Sequence, residues 1–479
     1  MLLEIKDLVK YYGERKILEL SGLSLYSGDR LALTGRNGSG KTTLLRMIAR
    51  DEEPDTGRIT VKGSVAMITQ TEDEQEGETD IRIAGRLGLS CEAHSGGERV
   101  KERIARAFSC PADILLADEP TTNLDINGIS CLEELLLTFK GGLVIVSHDR
   151  ALLKALCNKV LEIDRGKCRL YGCGYEEYLV QKELESISDK AQYEQYISER
   201  DRLKRAAAEI ARKSSGIKRP PKRMGNSEAR LHKMGGQGAK GKLDRSAKAA
   251  LSRLEQLEKV EKPWEQREIT FDILPGAVRS PVLITVNDAS KAFDRRSVLE
   301  HCSFIVPNNK KTALTGPNGS GKTTLLDMIA SKENGIEACR SLKIGYFRQD
   351  MSGVDDDKSV LENALSASAY GQQFTRTILA RLLFSSADVN KKARVISGGE
   401  RIKLALAKII LSDFNLLVLD EPTNYLDIES RVALEHVLCA YPGAVLFVSH
   451  DREFIRNVAD RVVVIKNKTA VTFEDTCPA

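Results

Sequence analysis

The amino-acid sequence predicts an α/β chain of two like domains in tandem, joined by an antiparallel α-helical hairpin. Three observations carry that reading. The same four sequence blocks occur twice in the same order. Short continuous apolar runs accompany each copy, as buried parallel strands do. A basic, helix-patterned segment lies between the copies. The boundaries that follow are residues 1–180 for the first domain, 181–262 for the hairpin and 263–479 for the second domain.

GRNGSGKTTLLRMIA at residues 35–49 returns as GPNGSGKTTLLDMIA at 316–330, an offset of 281. SGGER at Ser95, DEPTTNLD at Asp118 and VSHDR at Val146 return at Ser397, at Asp420 (as DEPTNYLD) and at Val448, each at an offset of 302. The second copy therefore holds 21 more residues between its first two blocks. The openings also align, LEIKDLVKYYGERKIL with ITVNDASKAFDRRSVL, and set Tyr12 opposite Phe293. Asp29–Leu33 reads as a short strand ahead of the glycine-rich loop. Leu44, Leu45 and Ile48 then give Lys41–Ala49 a helical spacing. Ile114–Ala117 and Leu416–Leu419, each followed by Asp, read as buried parallel strands, as do Leu143–Val146 and Val445–Val448. Helices are expected on both faces of such a sheet.

The middle segment has a different pattern. Tyr193, Tyr196, Leu203, Ala207 and Ile210 fall at helical spacing on an otherwise charged stretch, and so do Leu243, Ala247, Ala250, Leu254 and Leu257. The prolines and glycines of SSGIKRPPKRMGNSEARLHKMGGQGAKGK, between them, break helix. Two helices with a basic loop at the tip follow; a solvated, partly disordered linker has the same composition. Residues 181–262 carry 21 Lys and Arg against 12 Asp and Glu, and residues 200–253 carry 17 against 4. The rest of the chain has 51 against 56, so a mildly acidic body carries one basic segment.

Composition narrows the class. With 479 residues, 42% hydrophobic and 29% charged, the chain is large enough for several buried cores. No run approaches the roughly 18 apolar residues of a membrane span. The opening MLLEIKDLVKYYGERK has no signal-peptide core, so a cytoplasmic location is expected. Ten cysteines at irregular spacing, without a CxxC pair, argue against a disulfide framework or a zinc site.

The blocks carry chemistry. G-x4-G-K-T is a P-loop: its glycines let backbone N–H groups approach phosphates, Lys41 or Lys322 reaches the β/γ phosphates, and the hydroxyl of Thr42 or Thr323 suits Mg²⁺. Asp118 and Asp420 end apolar strands, where a Mg²⁺-holding aspartate belongs. Glu119 and Glu421 follow, where a carboxylate can orient or deprotonate a water. An isolated acidic pair at a strand end is as often structural, but the intervals repeat. Ser95 to Glu119 and Ser397 to Glu421 are each 24 residues. Glu119 to His148 and Glu421 to His450 are each 29. A His after an apolar strand at matched spacing fits a γ-phosphate sensor. Gln70 and Gln349 lie 29 and 27 residues after Lys41 and Lys322.

P-loop, Gln, SGGE, DEP and a final His, in that order, resemble the ATP-binding cassette ATPases over nearly the whole chain outside the middle segment. The resemblance implies two tandem cassettes that close head to tail on two ATP molecules within one chain, which would act as a monomer. Lys41 would share a nucleotide with Ser397 and Gly399, and Lys322 with Ser95 and Gly97. Tyr12 and Phe293 would stack on adenine. The loops Gly35, Asn37, Gly38, Gly40, Thr43 and Gly316, Asn318, Gly319, Gly321, Thr324 would hold phosphates. Mg²⁺ would be held by Thr42, Gln70 and Asp118 at one site and by Thr323, Gln349 and Asp420 at the other. Glu119, Glu421, His148 and His450 would be the catalytic residues.

Two cassettes in one chain, joined by a basic helical linker and without a membrane domain, are similar to the ABC-F group. That resemblance implies binding to ribosomes near the exit site, with the linker directed at the peptidyl-tRNA site. KRPPKRMGNSEARLHKM (residues 218–234) resembles the linker tip of the antibiotic-resistance members of the Vga/Lsa type. It implies protection from lincosamides, pleuromutilins and streptogramin A. Lys218, Arg219, Lys222, Arg223, Arg230 and Lys233 are the candidate contacts to rRNA phosphates, which give affinity without reading sequence. Met224 and His232 fit contact with bases or drug, and fit packing or solvent exposure at least as well. His94 and Ile396 stand before SGGE where the family has Leu. The short stretch from Gln70 to Ser95 leaves no room for the arm of some housekeeping members, and 29 residues after His450 leave none for a C-terminal coiled coil. The alternative within the group is a housekeeping translation factor. The alternative outside it is the ATPase pair of a transporter or DNA-repair machine; neither a membrane nor a DNA partner is expected.

Overall fold

The computed structural model describes residues 1–69, 80–89, 96–216, 238–257, 260, 278, 280–293, 296–348 and 353–474. Gln70, His94, Ser95 and Gln349 lie outside these, as do the linker-tip candidates Lys218, Arg219, Lys222, Arg223, Met224, Arg230, His232 and Lys233. The chain divides into two compact units. One is Met1–Glu176 with Glu268–Ala479, and the other is Glu177–Arg267.

In the first half, β1 (Leu3–Tyr12) and β2 (Arg15–Leu25) form an antiparallel pair, and β3 (Arg30–Thr34) leads into α1 (Lys41–Ala49). Then come β4 (Thr56–Val61), β5 (Val65–Ile68), α2 (Ile81–Arg86), α3 (Gly96–Ser109), β6 (Ile114–Asp118), α4 (Ile126–Thr138), β7 (Gly142–Val146), α5 (Arg150–Leu156), β8 (Lys159–Asp164) and β9 (Lys167–Tyr171). The sheet order is β4-β1-β2-β9-β8-β3-β7-β6-β5. Its centre, from β5 through β6, β7 and β3 to β8, is parallel. Every residue of β6 and β7 is buried, which is why these strands read as unbroken apolar runs rather than as alternation.

The second unit is the hairpin segment: α6 (Tyr175–Gly216), which starts at the end of the first unit, and α7 (Gly238–Gln256). Ser214 Oγ donates to Asp244 at 2.5 Å, so the end of α6 lies beside the start of α7. Helix occupies both ends of the segment read from sequence as loop. Ser214–Gly216 and Gly238–Lys242, which the sequence reading placed in the loop, are helical, and the glycines among them cost a helix only about 1 kcal/mol each.

The second half repeats the first. It comprises β10 (Val282–Phe293), β11 (Arg296–Pro307), β12 (Lys311–Thr315), α8 (Lys322–Ser331), β13 (Ile336–Ala338), β14 (Ile344–Phe347), α9 (Val360–Ala367), α10 (Gln372–Arg381), α11 (Gly398–Leu411), β15 (Leu416–Asp420), α12 (Ile428–Ala440), β16 (Ala444–Val448), α13 (Arg452–Val458), β17 (Arg461–Lys466) and β18 (Thr469–Glu474). The order β14-β15-β16-β12-β17 reproduces the parallel centre of the first half. In the interval where this copy is longer stand α9 and α10, against α2 alone among the described residues of the first; Ser359 and Glu362 cap α9 reciprocally, and Val360, Ala364, Ile378 and Leu379 are buried under α11 and the sheet.

Candidate functional site

The site begins where β3 and β12 end. The backbone turns through Gly35 (φ 144°), Gly38 (φ 73°) and Gly40 (φ 101°) into α1, and through Gly316 (φ 153°), Gly319 (φ 73°) and Gly321 (φ 92°) into α8. A Cβ on Gly35 would stand 2.4 Å from the Ile163 carbonyl oxygen, and one on Gly316 would stand 2.7 Å from that of Ile465. Only glycine fits there. Gly40 and Gly321 start their helices with no side-chain cap, which leaves amide N–H groups free for an anion. Lys41 Nζ donates to the carbonyls of Gly35 (2.6 Å) and Arg36 (3.1 Å), and Lys322 Nζ to those of Gly316 and Pro317 (both 2.9 Å). Thr323 Oγ1 donates to Asp420 Oδ2 at 2.9 Å, and Thr42 is hydrogen-bonded to Asp118.

The carboxylates that follow are held under backbone strain. Glu119 (φ 50°) and Glu421 (φ 49°) are left-handed, a conformation costing a non-glycine residue on the order of 1–3 kcal/mol. Their amides donate to the carbonyls of Val146 (2.9 Å) and Val448 (3.0 Å), tying each turn to the strand that leads to His148 or His450. In both halves the imidazole Nε2 is 3.3 Å from the glutamate Oε1. The His148 amide also donates to Glu119 Oε2 at 3.2 Å. Burial pushes Glu119 and Glu421 up to about 7, against the pull of Arg431 and Lys41 on the first and of Lys322, with a smaller pull from Arg431, on the second. Burial pushes His148 down to about 3 and His450 down to about 4. Each His–Glu contact therefore holds a neutral imidazole at neutral pH and is not an ion pair. Glu119 Oε1, Glu421 Oε1, His148 Nδ1, His450 Nδ1 and the hydroxyls of Ser39 and Ser320 are buried without a hydrogen-bond partner. These orphans come in symmetric pairs around the two loops and point to a polar ligand.

Both loops open on one cavity of about 1630 Å³. It is lined by Asn37, Lys41, Thr42, Asp118, Glu119 and His148 with Ser397 and Gly399, and by Asn318, Lys322, Thr323, Asp420, Glu421 and His450 with Gly97. The halves face each other head to tail. Asn37 Nδ2 donates to the Tyr425 carbonyl (3.2 Å) and its amide to Asp427 Oδ2 (3.3 Å). Asn318 makes the mirror contacts to the Asn123 carbonyl (3.1 Å) and Asp125 Oδ2 (3.2 Å). Gly38, Gly40, Thr43, Gly319, Gly321 and Thr324 also line the cavity, and Tyr12 stands at its edge, half exposed. Phe293 is exposed but is not brought to the cavity wall.

Several residues of the site escaped the sequence reading. Asp125 and Asp427 close the repeated DEP block. One carboxylate oxygen of each caps its own helix, at Gly128 and Ser430 (both 2.9 Å), while the other accepts the opposite loop's amide. Burial pushes Asp125 up, yet the N–H bonds from Gly128 and Asn318 win and hold it low. Their repetition at an offset of 302 was the available signal. Arg431 is also in the cavity wall, and no repeated residue announced it.

The family model described as "ABC transporter" matches residues 18–84 and 299–424. The erythromycin resistance ATP-binding protein MsrA of Staphylococcus epidermidis is 33% identical over 456 residues, 93% of each chain. The chain belongs to the ABC-F family. Accordingly it is an ABC ATPase with two tandem cassettes, an enzyme that hydrolyses ATP. Two other relatives bracket this ABC-F chain. The ribosome protection protein VmlR of Bacillus subtilis is 29% identical over 457 residues, covering 93% of this chain and 83% of its own. The energy-dependent translational throttle protein EttA of Mycobacterium tuberculosis is 28% identical over 531 residues, covering 96% and 90%. The tandem-cassette fold is shared with the solved structure of RNase-L Inhibitor, 19% identical, at a TM-score of 0.65 over 98% of this chain and 90% of that one. Among the described residues, no helix of this ABC-F chain is long and apolar enough to cross a membrane.

Proposed function

We propose that this ATPase binds the ribosome with ATP closed between its halves and protects it from antibiotics of the peptidyl-transferase centre. The match over 93% of both chains to an erythromycin resistance protein carries the reading. The ribosome protection protein among its relatives supports it. The basic segment of residues 200–253 supplies cations for rRNA phosphates, with Lys218, Arg219, Lys222, Arg223, Arg230 and Lys233 at its tip. The linker-tip resemblance selects lincosamides, pleuromutilins and streptogramin A. The chain acts as a cytoplasmic monomer, without a membrane or DNA partner.

Each nucleotide is bound by one half's P-loop and the other half's SGGE. Lys41 and Ser397 with Gly399 serve one site, and Lys322 and Ser95 with Gly97 the other. Tyr12 and Phe293 take the adenines. The oxygen donors Thr42 with Asp118, and Thr323 with Asp420, suit Mg²⁺, with Gln70 and Gln349 completing them. Among the described residues no cluster of three or more His, Cys, Asp or Glu could hold the ion alone, which fits a metal that also takes phosphate oxygens. Bound there, Mg²⁺ would neutralise charge on the β and γ phosphates. Glu119 and Glu421 orient the attacking water, and His148 and His450 sense the γ-phosphate.

Inhibitory concentrations test the reading. Wild type and the Glu119→Gln/Glu421→Gln variant are expressed in a drug-sensitive Gram-positive host. A lincosamide, a pleuromutilin, a streptogramin A and erythromycin are compared with an aminoglycoside. A rise for one or more of the first four only, abolished in the variant, is expected. The similarity to a translational throttle protein favours a second reading, a housekeeping translation factor. No rise for any drug, with ribosome binding intact, selects it.

A further inference from the structure

Three of the positions at which the repeat breaks gather at one site. Arg431 stands where the first half has Ile129, Glu429 where it has Asn127, and Arg36 where the second loop has Pro317. Arg36 Nε meets Glu429 Oε2 at 2.9 Å, a cross-half contact that Pro317 and Asn127 cannot reproduce. Arg431 is fixed by its own half, with Nε donating to the Leu426 carbonyl (3.0 Å) and a terminal nitrogen to Asp451 Oδ2 (3.0 Å). That nitrogen also donates to the His148 carbonyl of the first half at 3.1 Å. His148 in turn holds Glu119 through its amide (3.2 Å), with its ring 3.3 Å away. A guanidinium of the second half thus touches the loop that places the first half's glutamate. At the mirror position Ile129 is buried, lines the same cavity and has no donor to offer His450.

We propose that the two nucleotide sites are inequivalent and that Arg431 is an in-trans positioning residue for the site of Lys41 and Glu119 alone. It holds the His148 loop, and through it Glu119, in the geometry that orients water. The proposal rests on Glu119 and Glu421 being the water-orienting carboxylates. A plain strut between the halves would act differently, because closure is shared by both sites. Arg452 supplies that comparison. It reaches Glu133 (3.4 Å) and Ser130 (2.6 Å) across the halves and is not part of the cavity wall.

The test is steady-state ATP hydrolysis by the full chain in two backgrounds, Glu421→Gln, which leaves the Glu119 site, and Glu119→Gln, which leaves the other. Arg431→Ala is expected to lower kcat about tenfold in the first background, the worth of one charge-assisted hydrogen bond. KM there, and kcat in the second background, stay within about twofold, as for a contact that acts on turnover at one site. Arg431→Lys, which keeps the charge and a donor, recovers part of the lost kcat. Arg452→Ala lowers both backgrounds alike. An equal fall for Arg431→Ala in both backgrounds, or a raised KM with kcat unchanged, overturns the proposal. So does a complete loss of turnover in either single-Gln chain, which would mean that the sites fire only together. Full turnover in the double-Gln chain would overturn the reading of the carboxylates, and the proposal with it.

Discussion

Glu119 and Glu421 sit in left-handed backbone directly after a buried strand, with a neutral imidazole 3.3 Å away and one carboxylate oxygen unpartnered. Such strain persists only where the surroundings over-determine it. Replacing both by Gln is expected to slow ATP hydrolysis by about a hundredfold or more while ATP still binds. A phosphate-release assay beside equilibrium nucleotide binding checks this. Gly35→Ala, whose methyl would press on the Ile163 carbonyl, should remove ATP binding at the first loop and leave the second competent. One nucleotide per chain by equilibrium dialysis, rather than two, is the expected result. At this scale the sequence was informative wherever a residue repeats. Lys41, Asp118, Glu119 and His148 were legible because their spacings return with Lys322, Asp420, Glu421 and His450. Arg36, Glu429 and Arg431 were not, because they break the repeat and their cross-half contacts exist only when the halves meet.

The elements joining the halves are unlike on the two sides. Arg150, at the start of α5, is buried against Glu435 of α12 and Glu453 of α13, with Glu453 Oε2 at 3.0 Å and Lys154 also on Glu453 at 2.5 Å. The mirror pair, Arg452 with Glu133, is 3.4 Å apart and more exposed, at 32% and 24%. Arg150→Ala leaves two carboxylates buried short of a cation and should cost about 3 kcal/mol in denaturant unfolding. Arg452→Ala should cost no more than about 1 kcal/mol. Equal losses would contradict the asymmetry. The strands β6, β7, β15 and β16 were legible to within a residue, since they are buried on both faces and have no polar interruption. The helices of the hairpin were legible in kind but not in extent. Near Ser214 the chain continues as helix because Asp244 of α7 takes the serine hydroxyl, a contact between residues 30 apart that periodicity does not display.

For the molecule as a whole, ATP in the head-to-tail cavity would be part of the joint between the halves, and the basic segment would offer cations to RNA phosphates. Ribosome binding should weaken steeply with salt. Replacing Lys218, Arg219, Lys222 and Arg223 by Ala should lessen the slope of log affinity against log salt by about 3, if each meets one phosphate. An unchanged slope would place the RNA contacts elsewhere. The pairing of each P-loop with the opposite SGGE was implied by the resemblance to ATP-binding cassettes. The cross-half contacts of Asn37 and Asn318 with Asp427, Asp125 and the carbonyls of Tyr425 and Asn123 were not, because they depend on the docked halves. Co-sedimentation of the Glu119→Gln/Glu421→Gln chain with ribosomes tests the central claim most directly. The chain should pellet with ribosomes when ATP is present and stay in the supernatant without it. Equal pelleting with and without ATP would contradict the claim that nucleotide held between the halves governs the encounter.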